Sequence, residues 1–270
     1  SRTTAMFSGT LRNQALRAMA DALREHCDVI LAENARDMER AREKGKTEAF
    51  LDRLLLTETR VAAMADGVRS VASLPDPLGQ MQDVSTRPNG LVIGKRRVPL
   101  GCVAIIYEAR PNVTADAIGL CIKSGNAVIL RGGSEALHSN TALAALLRQA
   151  LEEAGLPADA AQLVTTTDHA AVTELCKLDQ YIDVMIPRGG EGLVRAVTEA
   201  ATMPVLKHYK GVCHAFVDAD ADLDKALDIV FNGKVQRPGV CNALECLLVH
   251  KDCAAAFLPR VGRRLGEAGV

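Results

Sequence analysis

From Pro111 onward, short apolar runs alternate with longer amphipathic segments, and this alternation constrains the fold more than any other feature of the chain. Three runs have the length and composition of buried strands: residues 127–130, 181–186 and 213–217. Helical patterns separate them, over 134–154 and 191–201. Strand, helix and strand at these lengths predict βαβ units, so we expect an α/β fold with a mostly parallel sheet.

The chain before Pro75 has the periodicity of helices. A first set of apolar residues recurs at steps of three and four and predicts one helix face, with a stop near Gly45: Leu16, Met19, Leu23, Cys27 and Ile30. A second set predicts another helix, which ends before Pro75: Val61, Met64, Val68 and Val71. Apolar residues at 91–93 and 101–107 then predict strands on either side of the basic segment 95–97.

The composition argues against several function classes. The formal net charge of the 270 residues is −1 and the basic residues form no stripe, so we expect neither nucleic-acid nor membrane partners. No apolar run reaches the roughly 18 residues of a membrane helix. The eight cysteines include no Cys-x-x-Cys, and several lie in apolar runs, as at Cys102, Cys121 and Cys213. We therefore expect a cytoplasmic protein with reduced, mostly buried thiols.

A glycine-rich turn between a predicted strand and a predicted helix is the first candidate site. It comprises Arg131, Gly132, Gly133 and Ser134. The glycines permit close approach of a ligand, Ser134 can cap the helix, and a helix N-terminus attracts anions. With the charge of Arg131, these features favour a phosphorylated ligand. The alternative is a plain strand-to-helix turn with a solvated arginine.

A second turn of this kind contains Pro187, Arg188, Gly189 and Gly190 and also precedes a helix. The chain has no Gly-x-Gly-x-x-Gly sequence, so the common dinucleotide fingerprint is absent and a packing turn stays an open alternative. Ligands of open α/β sheets nevertheless bind at the carboxyl ends of strands. Two such turns in one sheet therefore support each other as a cofactor site.

The third candidate is Cys241, which follows a turn with proline and glycine at 238–239. A thiol on such a turn is expected to be accessible. Nearby Arg237 can favour the thiolate, which is the nucleophilic form. The open alternative is a buried structural cysteine.

The cysteines after Cys241 and the histidines are the remaining groups that could bind a metal or act in catalysis. Cys246, His250 and Cys253 follow Cys241, but their spacing does not match the paired ligands of zinc sites, and we expect no metal. His208 follows a predicted strand end and is the histidine we place near the candidate site.

Five segments, taken together and in order, carry a specific signature: residues 98–101, 106–114, 123–133, 186–190 and 236–242. They closely resemble the γ-glutamyl phosphate reductases, a family of the aldehyde dehydrogenase superfamily. The resemblance runs over essentially the whole chain and is densest from Val98 to Val249.

This resemblance implies an aldehyde dehydrogenase-like fold, with a Rossmann-like parallel-sheet cofactor domain, an α/β catalytic domain and a small oligomerisation extension. We therefore expect N-terminal helices and the cofactor domain over 1–231, and the start of the catalytic domain over 232–270. Because members of the family are longer, we expect the C-terminal part of the catalytic domain to be absent from this chain. The full-length form is expected to be a homo-oligomer.

The resemblance also implies roles for individual residues. Cys241 falls on the family's nucleophile, and Asn112 is the candidate for an oxyanion contact. The segment Gly125–Asn126 followed by Arg131 resembles the superfamily segment whose basic side chain meets the adenosine ribose or its 2′-phosphate. Arginine at that position favours NADPH as the cofactor. The turn 187–192 falls on the second cofactor loop.

Two arginines and His208 are candidates for contact with the substrate. Arg110 and Arg237 can bind a phosphate or carboxylate in bidentate fashion, and structural ion pairs are the alternative for both.

The implied activity is the NADPH-dependent reduction of L-glutamyl 5-phosphate to L-glutamate 5-semialdehyde plus phosphate through a cysteine thioester, in proline biosynthesis. Glutamate 5-kinase is the enzyme to which this activity suggests a functional coupling. Aldehyde-oxidising members of the superfamily carry a water-activating glutamate upstream of the nucleophile, and that position falls at His208 here. This departure favours reduction. An aldehyde-oxidising dehydrogenase and an inactive fragment remain the alternatives.

Overall fold

The computed structural model describes residues 1–208, 211–238 and 240–270. These residues form two units, Ser1–His208 and Tyr209–Val270, which are described separately. In the described ranges, no helix is both long enough and apolar enough to cross a bilayer.

Helices occupy the start of the first unit, as predicted. They are α1 (Gly9–Glu25), α2 (Cys27–Glu43), α3 (Glu48–Leu54) and α4 (Glu58–Ser73). The single helix face predicted across Cys27 is wrong, because the backbone leaves the helical region at His26 (φ −108°, ψ 30°). The apolar series continues through this break since α1 and α2 both contribute to one core, which contains Leu16 and Ile30.

An antiparallel pair of strands follows, β1 (Met81–Thr86) and β2 (Val92–Arg96). Every residue of both strands is exposed. The apolar residues at 91–93 predicted β2, whereas β1 was missed because its sequence has no sustained apolar alternation.

The centre of the first unit is a four-stranded parallel sheet, which confirms the predicted βαβ units. In chain order its strands are β3 (Cys102–Tyr107), β4 (Ala127–Arg131), β5 (Ala161–Leu163) and β6 (Val184–Arg188), and their order in space is β5-β4-β3-β6. The helices between and after the strands are α5 (Asn112–Lys123), α6 (Leu137–Glu153), α7 (Ala170–Leu175) and α8 (Glu191–Ala200).

Strand β3 is buried along its whole length because both faces of the sheet are covered. Val103, Ile105 and Tyr107 belong to the core that includes residues of α1, α4, α5 and α6. Ala104 and Ile106 belong to the opposite core, which includes residues of α7 and α8. Both sides of β3 are therefore fixed, and the position of the residues that follow it is well determined.

The described residues of the second unit form two parallel strands and two helices: β7 (Cys213–Val217), α9 (Leu223–Val235), β8 (Leu244–Val249) and α10 (Lys251–Glu267). The strand predicted at 213–217 is confirmed. Phe257 and Val261 of α10 pack on Val217 and Val230. The predicted boundary between 231 and 232 lies inside α9, and the division into a cofactor domain and a catalytic domain stays a prediction.

Candidate functional site

The two glycine-rich turns begin at the carboxyl ends of strands that flank β3. Arg131 is the last residue of β4 and pairs with Ile106 of β3, whereas Arg188 is the last residue of β6 and pairs with Tyr107. Because β3 lies between β4 and β6, both turns border the segment that follows Tyr107. The strand order thus brings together two turns that are more than fifty residues apart in the sequence.

Close contacts confirm this arrangement. A Cβ added to Gly133 would lie 3.4 Å from the backbone N of Ala109. A Cβ added to Gly189 would lie 2.6 Å from Cδ of Glu108. Because Gly133 also lies within 3.6 Å of the carbonyl carbon of Glu108 by the same measure, both turns approach Glu108, the residue that follows β3.

Arg131 is buried, with 6% of its surface exposed, so the alternative of a solvated arginine is wrong. Its Nη1 donates to the carbonyl oxygen of Gly132 at 3.1 Å, and its Nη2 donates to that of Thr167 at 3.1 Å. Among the described residues, its Nε has no hydrogen-bond partner and its guanidinium has no carboxylate partner. A buried cation without a counter-ion is costly, and an anion beside it relieves that cost.

Gly132 is required by packing. A Cβ there would lie 2.2 Å from Nδ2 of Asn140, whose Oδ1 accepts a hydrogen bond from Thr114 Oγ1 at 3.0 Å. The Thr114 hydroxyl is also 2.7 Å from the hydroxyl of Tyr107. Burial raises the pKa of Tyr107 to about 12, against the smaller opposing effect of the Thr114 hydrogen bond. The turn therefore rests on a buried polar network.

The predicted capping role of Ser134 is wrong. Ser134 lies in a 3-10 turn, Ser134–Ala136, and α6 begins only at Leu137 without a side-chain cap from its preceding residue. The anion at this N-terminus is the buried carboxylate of Asp37 in α2. It accepts hydrogen bonds from His138 N at 3.2 Å, Ser139 N at 2.8 Å and Ser139 Oγ at 2.7 Å.

A carboxylate also lies at the N-terminus of α8. Oε1 of Glu108 accepts a hydrogen bond from the backbone N–H of Gly190 at 3.0 Å. Sequence reasoning missed Glu108, although it is the only acidic residue of the segment 106–114. Arg188, by contrast, is exposed, and its guanidinium has no partner among the described residues.

A second charged pair beside the first turn was also missed. Lys46 Nζ lies 3.3 Å from Oε1 of Glu135, the residue after Ser134. Burial acts to raise the pKa of the Glu135 carboxyl, but a backbone hydrogen bond and Lys46 together hold the pKa below its usual range. Lys46 comes from the loop after α2, so only the tertiary fold brings it to this turn.

Gly125 and Asn126 lie at the opposite end of β4 from Arg131. Gly125 has a φ of +72°, and Asn126 Oδ1 accepts a hydrogen bond from Gly101 N at 2.9 Å. Asn126 also donates to Ser124 Oγ at 2.9 Å. Their contacts stabilise the loops at the amino end of the sheet.

Two further predicted residues lie just beyond β3. Asn112 is the first residue of α5, is exposed, and donates through Nδ2 to Asp116 Oδ2 at 3.1 Å. Arg110 is exposed, and its guanidinium has no partner within the described part of the chain.

His208 is also exposed, three residues after Val205, which forms a bridge to Met185 of β6.

In the second unit, Cys241 is exposed, as its turn predicted. It is the only exposed cysteine of the eight, all of which belong to the described residues. The thiol of Cys213 lies 3.5 Å from the carbonyl oxygen of Cys241, a contact that sequence reasoning did not anticipate. Arg237 is exposed, and Gly239, the glycine of the predicted turn, lies outside the described residues.

Cys253 has contacts of its own. Cys253 is buried, and its Sγ lies 3.3 Å from the carbonyl oxygen of His250. No group of three or more His, Cys, Asp or Glu in residues 1–208, 211–238 and 240–270 could hold a metal ion.

Comparison with known proteins decides the family. The model of the aldehyde dehydrogenase family matches residues 2–269. The chain belongs to the aldehyde dehydrogenase family. Its aldehyde dehydrogenase-like fold, which the resemblance of the sequence implied, is therefore confirmed.

Relatives within this aldehyde dehydrogenase family share a common name. The chain is 67% identical over 259 residues to the γ-glutamyl phosphate reductase of Desulfovibrio desulfuricans, covering 96% of this chain and 61% of the relative. It is 60% identical over 270 residues to that of Solidesulfovibrio magneticus, covering 100% and 64%. The crystal structure of the γ-glutamyl phosphate reductase of Thermotoga maritima superposes with a TM-score of 0.93 at 43% identity, covering 100% of this chain and 65% of that one. The chain thus spans less than two thirds of the length of these relatives.

Proposed function

We propose that this aldehyde dehydrogenase takes part in the NADPH-dependent reduction of L-glutamyl 5-phosphate to L-glutamate 5-semialdehyde plus phosphate. The similarity to relatives named γ-glutamyl phosphate reductase supports the reaction class. The observation that carries the proposal is the meeting of the two glycine-rich turns at the end of β3. Such a position, at the carboxyl ends of parallel strands, is where open α/β sheets bind ligands.

The residues at this end of the sheet fit a dinucleotide. Arg131 carries a buried positive charge without a carboxylate partner among the described residues, and three of its five N–H groups make none of the hydrogen bonds described above. A phosphate on the adenosine ribose is an anion that this charge favours. Arg188 is exposed at the second turn and supplies another cation for the phosphates. We therefore assign Arg131, Gly132, Gly133, Ser134, Arg188, Gly189 and Gly190 to the cofactor.

Cys241 is the proposed nucleophile. Its thiolate attacks the acyl carbon of the substrate, the bond from that carbon to the phosphate oxygen breaks, and phosphate leaves as a thioester forms. When bound, the dinucleotide supplies the hydride that reduces the thioester to the level of an aldehyde. All eight cysteines lie in the described residues and only Cys241 among them is exposed, which suits it to react with a substrate.

Three further residues complete the assignment. Asn112 is the proposed oxyanion donor, since its amide has a second N–H beside the one given to Asp116. Arg110 and Arg237 are exposed and suited to the carboxylates or phosphate of the substrate. By the resemblance, the position of the water-activating glutamate of the aldehyde-oxidising enzymes falls at His208. Loss of that carboxylate favours phosphate rather than water as the group that exchanges with the thioester.

Calorimetric titration with NADP⁺ and NAD⁺ tests the cofactor assignment. We expect tighter binding of NADP⁺, and we expect Arg131→Ala to reduce the difference between the two dinucleotides by about 10-fold, the effect of one charged hydrogen bond. Arg148→Ala is the matched control, because Arg148 also donates to a backbone carbonyl, that of Ala161 at 3.0 Å, but at the amino end of β5. A preference unchanged by Arg131→Ala, or no binding of either dinucleotide, would reject the assignment.

A further inference from the structure

We infer that Glu108 is a positioning residue for the dinucleotide: its carboxylate holds the Gly189–Gly190 turn in the shape that receives the cofactor. The inference rests on the proposed function, because it adds a residue to the same cofactor site. The inference depends on two observations together: the hydrogen bonds of Glu108 to the second turn, and the close fit of Gly189 to the Glu108 side chain.

Two hydrogen bonds attach Glu108 to the second turn. Its backbone N donates to the carbonyl oxygen of Arg188 at 3.2 Å and so extends the pairing of β3 with β6 by one residue. Its side-chain Oε1 accepts from Gly190 N at 3.0 Å. Gly190 is the residue that precedes α8, so this second bond fixes the entry of the chain into the helix.

The glycine at position 189 matches the Glu108 side chain in shape. A Cβ at Gly189 would lie 2.6 Å from Cδ, 2.7 Å from Oε1 and 2.8 Å from Cγ of Glu108. Gly189 does not have a positive φ, so the requirement is for space rather than for a left-handed backbone. Any larger residue at 189 would force the carboxylate away from Gly190.

The location of Glu108 indicates a role beyond stability. Glu108 is exposed, so the core does not depend on its side chain. Its carbonyl carbon would also lie 3.6 Å from a Cβ at Gly133, in the first turn. Glu108 therefore lies beside both turns and is hydrogen-bonded to the second, so we expect loss of its carboxylate to change the shape of that turn more than the packing of the fold.

Titration calorimetry with NADP⁺ tests the inference on four proteins. We expect Glu108→Ala to weaken binding by about 3- to 10-fold, the range for one lost hydrogen bond. Glu108→Gln should bind within about twofold of wild type, since its amide oxygen accepts the same bond. Glu199→Ala, an exposed glutamate near the end of α8, is the control and should bind as wild type does.

A double-mutant cycle supplies a readout that a purely structural role would not give. Gly189→Ala should weaken NADP⁺ binding about as much as Glu108→Ala, because the new Cβ displaces the carboxylate. The double variant should be no weaker than either single variant. Additive losses would mean that Gly189 meets the cofactor independently of Glu108 and would overturn the inference.

The remaining outcomes separate this inference from the proposed function. A wild-type protein that binds no dinucleotide rejects the proposed function and the inference with it. Binding by wild type that is unchanged in Glu108→Ala rejects the inference alone. Tighter binding by Glu108→Gln would show that the carboxylate competes with the cofactor phosphates, which also overturns it. If Glu108→Ala does not fold, Glu108→Gln and Gly189→Ala decide the question.

Discussion

The carboxylate of Asp37 binds Ser139 twice, through the backbone N at 2.8 Å and through Oγ at 2.7 Å. These residues are 102 positions apart, and the contact joins α2 to the first turn of α6. The N-terminus of α6 therefore already has a buried internal anion, so the attraction of a ligand to the preceding turn depends on Arg131 rather than on this helix end.

Removal of this anion is expected to destabilise the first unit. Asp37→Ala leaves the N–H groups of His138 and Ser139 buried or half-buried without their acceptor, and we expect a loss of about 3 kcal/mol in the free energy of unfolding. Urea denaturation measures it. Asp21→Ala, which removes only an exposed ion pair with Arg69, is the control and should cost less than about 1 kcal/mol. Equal costs for the two variants would contradict the capping role.

The same contact shows where sequence reasoning succeeds and where it stops. Apolar runs that alternate with helical segments predicted the parallel sheet. A strand buried on both faces is a continuous apolar run, so its burial can be inferred from its own residues. The turns after β4 and β6 were also predicted, since strand ends and glycines are local signals. Which anion neutralises a helix N-terminus is a tertiary property, and Asp37 and Glu108 have no local signature of that role.

Arg131 illustrates the same limit. The sequence predicted that Arg131 follows a buried strand. Its hydrogen bond to Thr167 could not be predicted, because Thr167 lies in the loop after β5. The break between α1 and α2 was missed for a related reason. Helical periodicity describes which residues face a common core, and it does not require that one continuous helix presents them.

Glycine substitutions distinguish packing from conformational freedom. Gly132→Ala places a Cβ 2.2 Å from Asn140 Nδ2, which is buried and bonded to Thr114, so we expect a loss of about 1–3 kcal/mol. Gly192→Ala in α8 meets nothing within 4 Å and should stabilise by about 0.5–1 kcal/mol. Chemical denaturation of both variants checks the pair. A destabilised Gly192→Ala would contradict the open space at Gly192, and a neutral Gly132→Ala would contradict the close packing of Gly132 against Asn140.

Tyr107 is expected to make stability fall at alkaline pH. Its pKa is about 12 in the folded chain, against 10.0 for an ordinary tyrosine. The unfolded state therefore ionises first, so the contribution of Tyr107 is complete below pH 10 and is lost as the pH rises towards 12, by up to about 1.4 kcal/mol per pH unit. Tyr107→Phe should be less stable than wild type by about 1 kcal/mol near neutral pH, because the hydrogen bond to Thr114 is lost.

The difference in free energy of unfolding between Tyr107→Phe and wild type should then become smaller as the pH rises above 10, because only wild type loses stability from the ionisation of Tyr107. Urea denaturation across this range measures it, with Tyr181→Phe as the control, since Tyr181 is exposed. A gap that stays constant with pH would contradict the effect of burial on Tyr107.

Thiol reactivity is expected to follow exposure. Iodoacetamide should modify Cys241 first, whereas Cys121, whose pKa burial raises to about 12, should be protected while the protein is folded. Cys102, whose pKa burial also raises, should be protected too. Peptide mass spectrometry at short reaction times checks the order. Earlier modification of either buried thiol would contradict the description of this core.

The proposed nucleophile is tested most directly by oxidation of glutamate 5-semialdehyde with NADP⁺, with and without added phosphate. We predict turnover that requires phosphate, and we predict that Cys241→Ala abolishes it. Substantial turnover by Cys241→Ala, or turnover by wild type that is independent of phosphate, would contradict the account.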